Sequence, residues 1–241
     1  MELDTSDLGG HIHRQYDEDL EAIRTRVLAM GGLVEQQIDN ALKALRDEDV
    51  ELGERVVGDD CKINELEVGI DEECTRIIAL RQPAAGDLRM VVAIIKTITD
   101  LERIGDEAEK IGRMAARLAG TCYSRRQMNG VQHLGSRVSK MVHDALDAFA
   151  RLDVNSALRV VREDEGVDAE YETIMRTLST YMMEDPRQIA QAMDIIWCVR
   201  ALERIGDHAK NICEYLIYFV KGKDVRHISV EDMEREANAL A

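Results

Sequence analysis

Two carboxylates one helical turn apart occur twice in this chain, as Glu102 with Asp106 and as Glu203 with Asp207. Each pair sits inside one hexapeptide: Leu101-Glu102-Arg103-Ile104-Gly105-Asp106 recurs letter for letter as Leu202-Glu203-Arg204-Ile205-Gly206-Asp207. On a helix, positions i and i+4 share a face, so both acids of a pair point the same way. Like charges so placed destabilise an isolated helix by about 0.2–0.5 kcal/mol, yet both copies keep them. A solvated helix flank is the bland explanation. The chemical one is a cation: clustered carboxylate oxygens suit Mg²⁺, Ca²⁺, Mn²⁺ or Fe³⁺, and not zinc. Glu109 extends the acidic row of the first copy, whereas Lys210 takes the equivalent place in the second. Leu101, Gly105 and Ala108 fall on the apolar stripe of the same helix. Gly105, and by repetition Gly206, are therefore expected where a neighbouring helix comes close enough to clash with a side chain.

Helices of the right length must exist to carry these pairs, and the apolar spacing supplies them. Leu20, Ile23, Val27, Met30, Val34, Ile38, Leu42 and Leu45 step by three or four residues, which predicts a helix from about Arg14 to Arg46. A second runs to about Leu80, with Asp49 as its cap; a third starts after a turn at Gln82–Gly86, with Asp87 as its cap. Gly120 to Gly130 reads as a polar connector. Beyond it the pattern repeats: residues 145–161 match residues 41–57 at 8 of 17 positions. The offset between copies is 104 residues there and 101 at the hexapeptide. The expected fold is all-α: two tandem antiparallel three-helix bundles, residues 1–120 and 131–222, related by a pseudo-two-fold. Asp185-Pro186 reads as a cap with proline at the first helical position. A polar tail follows over residues 223–241, with Ser229 as a possible cap for a short last helix.

Antiparallel hairpins bring further acids to the repeated pairs. Helices meeting near residue 185 place Glu203 opposite Asp168 and Asp207 opposite Asp164. In the first half Glu67 falls opposite Glu102, with Asp60 and Asn64 about one turn from Asp106. No basic residue is evident at the same level, which favours a bound cation. Glu102, Asp106, Glu203, Asp207, Asp164 and Asp168 are therefore the candidate metal residues.

Composition excludes other roles. The chain has 31 basic and 47 acidic residues, a formal charge of −16, so nucleic acid phosphates and anionic lipid surfaces repel it. Its longest apolar runs are six residues, Met90–Ile95 and Tyr215–Val220, far short of the roughly 20 that span a membrane. The acidic N-terminus lacks the features of a signal peptide. Cys61, Cys74, Cys122, Cys198 and Cys213 include no Cys-x-x-Cys pair and read as reduced, mostly buried thiols of a cytoplasmic protein. Trp197 and the methionines lie in apolar helical pattern and are expected in the core. Six scattered histidines, no Glu-x-x-His, no nucleophile elbow and no phosphate loop nominate no catalytic group.

The duplicated hexapeptide in two three-helix halves resembles the PhoU family, accessory proteins of the phosphate-specific transport system. Ile63-Asn64-Glu65-Leu66-Glu67, Arg81-Gln82-Pro83, Tyr181-Met182-Met183-Glu184-Asp185-Pro186 and the stretch from Asn211 to His227 resemble proteobacterial members in the same order. The resemblance implies a non-enzymatic regulator that signals phosphate sufficiency. It implies contact with the ATPase subunit of the phosphate ABC transporter and with the phosphate-sensing histidine kinase. Uptake and the phosphate regulon would both be held down. It further implies a homodimer that reaches the membrane only through partners. The family's Glu/Asp-x-x-x-Asp metal motif falls on Glu102 with Asp106 and on Glu203 with Asp207, and some members hold iron clusters or other cations there. Mg, Mn or Fe are the expected ions. Two other readings stay open: a metal-storage or redox helical bundle, and a structural adaptor with solvated acids.

Overall fold

A computed structural model describes residues 5–83, 85–121 and 125–239, with side chains described for residues 18–83, 85–121 and 128–237. Cys122 and the side chains of His11 and His13 lie outside these. Among the described residues the chain is helical, without strands. The helices are α1 (Thr5–Asp47), α2 (Val50–Arg81), α3 (Ala85–Leu118), α4 (Arg125–Arg151), α5 (Val154–Glu184), α6 (Ile189–Lys221) and α7 (Val230–Ala239). α1–α3 form one antiparallel three-helix bundle and α4–α6 the other, and α3 packs along α6 to join them.

Local chemistry fixes the hairpins. Asp49 accepts a hydrogen bond from the Leu52 amide at 2.9 Å to start α2, and Asp153, its equivalent, accepts from Asn155 and Ser156 to start α5. Both satisfy amides that the first helical turn leaves without partners. Glu48 and Leu152, the residues just before, adopt positive φ of 56° each. α3 begins at Ala85, so Asp87 lies within its first turn and does not cap it. There it complements the helix dipole. Asp185 accepts from the Arg187 amide at 3.1 Å and caps a single 3-10 turn, Pro186–Gln188, ahead of α6. Ser229 caps α7 through the Asp232 amide at 3.1 Å.

Two boundaries differ from expectation. α1 starts at Thr5, well before Arg14, because nothing between them breaks a helix: there is no proline, and Gly9-Gly10 only lowers propensity. α4 starts at Arg125, so Gly130 is helical and the connector is correspondingly short. Met128, Val131 and Leu134 already bury at helical spacing and draw the start back.

The halves meet about a pseudo-two-fold axis. A Cβ on Gly31 would lie 2.7 Å from Leu146 Cδ2, and one on Gly135 would lie 2.5 Å from Leu42 Cδ2. Residues 31 and 135 are 104 apart, as are 42 and 146, so the same contact is made twice. Glu35 Oε1 meets His143 Nδ1 at 2.8 Å, and Ser139 Oγ donates to Asp39 Oδ1 at 3.0 Å; these four positions exchange under the same offset. The core follows the sequence stripe, and Ile23, Ile38, Leu101, Ile104, Leu202 and Ile205 are almost fully buried. Each such side chain contributes about 1.5–3 kcal/mol. Met30, Met114, Met128, Met141 and Met233 are core, but Met183, Met193 and Trp197 are exposed. Ile195–Val199 is apolar at every position, and a helix cannot turn five consecutive side chains inward. Trp197 takes the outward one.

The repeated glycine is tight in only one half. A Cβ on Gly105 would lie 3.1–3.3 Å from Ile63, Gln37 and Asp60, whereas one on Gly206 would touch Val167 at an ordinary 3.4 Å. The tightest backbone crossing lies elsewhere: a Cβ on Gly53 of α2 would stand 2.7 Å from the Gly112 carbonyl of α3. Gly53→Ala should therefore destabilise by about 1–3 kcal/mol through overpacking. Gly206→Ala should be neutral or stabilising by up to about 1 kcal/mol, from helix propensity. Denaturant midpoints of the two variants read this directly, and a Gly53→Ala protein as stable as wild type would show that α2 and α3 do not cross there.

Candidate functional site

α2 and α3 in the first half, and α5 and α6 in the second, bring the expected acids onto one face of each bundle. In the first half, burial pushes Glu102 above the ordinary carboxylate range, helped by Asp106, Glu67 and Asp60. Asp106 is raised by burial, then by Asp60, with Lys110 opposing. Glu67 is raised by burial as well, against a hydrogen bond from Thr99. In the second half, burial raises Glu203, followed by Asp207, Asp168 and Asp164. Asp207 and Asp168 are raised by burial and then by Asp164. Both keep more than a third of their surface in water, which screens the effect.

Behind each pair lies a buried acid at the same repeat position, Asp60 in α2 and Asp164 in α5. The two halves satisfy it differently. Asp60 accepts from Gln37 Nε2 at 3.2 Å and from Asn64 Nδ2 at 3.0 Å. Asp164 Oδ2 accepts from Lys210 Nζ at 2.7 Å. Burial lowers Lys210, but its hydrogen bond to Asp164 and that acid's charge prevail, holding the ammonium above the ordinary lysine value. The expectation of no basic residue at this level thus fails in the second half. A tethered cation already sits there, because Lys210 is one turn beyond Asp207 and long enough to reach across to α5.

Three acceptor oxygens at these sites are buried without a hydrogen-bond partner: Gln37 Oε1 and Asn64 Oδ1 beside Asp60, and Asp164 Oδ1. Gln37 has Met141 at its repeat position, so the first-half site holds an extra amide oxygen that the second lacks. Among the described residues, no three His, Cys, Asp or Glu side chains form a ready-made metal-coordinating group. The carboxylates share a face without closing on one point.

Sequence reasoning missed the polar seam between α3 and α6. Asp100 receives His208 Nδ1 at 2.6 Å and Asn211 Nδ2 at 3.2 Å, and all but Asn211 are buried. Glu107, also buried, receives Lys110 Nζ at 3.0 Å and Arg204 Nη1 at 2.9 Å. The interrupted stripe, with Asp100 and Glu107 on an otherwise apolar face, was the available signal. Cys74 and Cys198 are buried thiols pushed up to about 12 by desolvation, while Cys61 is exposed.

A pair of three-helix bundles made from one duplicated unit, each with a buried acid behind a Glu-x-x-x-Asp row, defines a class of helical repeat proteins. The family described as PhoU domain matches residues 27–115 and 131–216, and the chain belongs to it. It is 52% identical over 97% of both chains to the phosphate-specific transport system accessory protein PhoU homolog of Pseudomonas aeruginosa. It is 47% identical to the Escherichia coli protein named phosphate-specific transport system accessory protein PhoU, across 97% of this chain and 96% of that one. The crystal structure of PhoU from Pseudomonas aeruginosa superposes with a TM-score of 0.84 at 53% identity, covering 86% of this chain and all of that one. The phosphate transport system regulatory protein PhoU from Streptococcus pneumoniae gives a TM-score of 0.81 at 30% identity, over 87% and 99% of the two chains.

Glu214 of α6 lies one turn past Lys210 and is buried; desolvation, against Lys210 and Arg226, pushes it up to about 7. A raised folded value makes the acid stabilising below its unfolded value and costs that stability as pH rises through about 7. Glu214→Gln should therefore raise stability by about 2 kcal/mol at pH 8. The gain should vanish as the pH falls toward the unfolded carboxylate value. Melting temperatures across that range check it, and a pH-independent difference would place Glu214 in water.

Proposed function

We propose that this chain is a non-enzymatic accessory regulator of phosphate transport. It acts in the cytoplasm on the ATPase subunit of the phosphate ABC transporter and on the phosphate-sensing histidine kinase, and it works as a homodimer. The observation that carries this reading is near-full-length identity of about half to relatives named as phosphate-specific transport system accessory proteins. Among the described residues no helix is long and apolar enough to cross a membrane, which fits recruitment through partners. The buried thiols of Cys74 and Cys198 stay protonated, which removes them as candidate nucleophiles. A strain lacking the gene should express phosphate-starvation promoters constitutively in high phosphate; unchanged repression would remove the regulatory assignment.

The reading includes a cation, Mg²⁺, Mn²⁺ or iron, at the acidic faces. Glu102 and Asp106 with Glu67 and Asp60 are the stronger candidates. The orphaned oxygens of Gln37 and Asn64 lie beside them, Glu109 stands where the second half has Lys210, and Lys110 is bonded to Glu107 instead. Glu203, Asp207, Asp168 and Asp164 are the weaker set, because Lys210 supplies a positive charge to Asp164. A bound ion would offset the mutual repulsion of the first-half acids and add stability with occupancy. Mn²⁺, Mg²⁺ or Fe³⁺ should raise the melting temperature of wild type and of Glu203→Ala/Asp207→Ala, but not of Glu102→Ala/Asp106→Ala. A wild type indifferent to every ion returns these acids to the solvated flank.

A further inference from the structure

Lys110, Met114 and Arg117 of α3 and Trp197, Arg200 and Arg204 of α6 line a cleft of about 410 Å³ at the seam between the halves. Four cations gather there on a chain with 47 acidic residues against 31 basic. Three of them lean on protein carboxylates: Lys110 and Arg204 on Glu107, and Arg117 on Asp194 at 2.9 Å. Glu107 is buried, so the bonds it accepts leave the outer faces of those heads in water; Arg117 is 61% exposed on its side chain. Among the described residues Arg200 forms no salt bridge, although its charge acts on Glu203 one turn away, and it lies 6.0 Å from the Trp197 ring centroid. Trp197 is 51% exposed, although burial of a tryptophan is worth more than that of almost any other side chain.

We propose that this cleft docks an acidic helical segment of another protein, with carboxylates flanking one apolar side chain that covers Trp197. Lys110 and Arg117, like Trp197 and Arg204, are two helical turns apart, about 10 Å. A single small anion cannot reach all four cations across that span. Two turns of a docked helix can, which is the spacing at which helix-in-groove recognition places its anchors. An exposed aromatic beside unpaired arginine is the composition that dominates binding energy at protein interfaces. Four cations on a chain of formal charge −16 complement a locally acidic partner segment; a second copy of this chain seated there is an outcome the test separates. The proposal stands on this patch alone and is independent of the phosphate-transport reading.

Trp197 is the sole tryptophan, so its emission reports the cleft directly in the intact protein. The probes are a tryptophan-free helical peptide of Glu and Leu, its Gln and Leu counterpart, and sodium tripolyphosphate. The acidic peptide should shift the emission to the blue and saturate, more weakly as salt rises. Arg200→Glu should weaken it at least about tenfold, while Arg176→Glu on the exposed face of α5 should leave it unchanged. Arg200 forms no salt bridge among the described residues, and circular dichroism of the variant verifies its helix content. Four results would overturn the proposal: no emission change; equal binding of the Gln peptide; tripolyphosphate binding as tightly, which marks a small-anion site; or emission that follows protein concentration alone, which marks self-association.

Discussion

An acidic chain that buries carboxylates must give each a donor or keep it protonated. Among the described residues five are buried: Asp60, Asp100, Glu107, Asp164 and Glu214. The long helices are arranged around that demand. Asp60 takes the amides of Gln37 and Asn64, Asp100 takes His208 and Asn211, Glu107 takes Arg204 and Lys110, and Asp164 takes Lys210. Glu214 is the exception, held toward its neutral form by desolvation. Three of these solutions run through α3 or α6. Shifting either helix by one turn would strand several acids at once, which ties the register of the central pair to the whole bundle.

Most of the architecture was legible because it depends on spacing. The apolar stripes, the caps Asp49 and Asp153 and the letter-for-letter hexapeptide specify six long helices in two copies. The carboxylates that face each other across each hairpin were also within reach, since antiparallel packing pairs residues whose numbers have a constant sum. What spacing could not reveal was reach. Lys210 looks like an ordinary flank residue until its four-carbon stem is seen to cross to Asp164. Nor does a pattern rank competitors for the inside: Trp197 lies in a run where every residue is apolar, and only the packing of α6 against α3 decides which one stays out. Glycine was likewise ambiguous, since Gly105 and Gly206 share a motif but not a clearance.

The two halves share a frame and differ in how they treat the same position. Gln37 and Met141, Asn64 and Asp168, Glu109 and Lys210 are repeat equivalents. One half surrounds its buried acid with neutral amides and leaves oxygens over. The other puts methionine and an ammonium in the same space, and leaves only Asp164 Oδ1 over. The second half thus gives its buried acid a positive partner where the first gives only amides.

The contacts of Gly31 with Leu146 and of Leu42 with Gly135 have the geometry of a self-complementary dimer interface, built here within one chain. In a true dimer of identical subunits every substitution is written twice, so both copies of a site must suit any change together. Covalent joining removes that restriction. One leucine can be trimmed while its symmetry mate stays, and one acidic row can gain a lysine while the other does not. The seam therefore preserves a symmetric scaffold while the surfaces it carries are free to specialise.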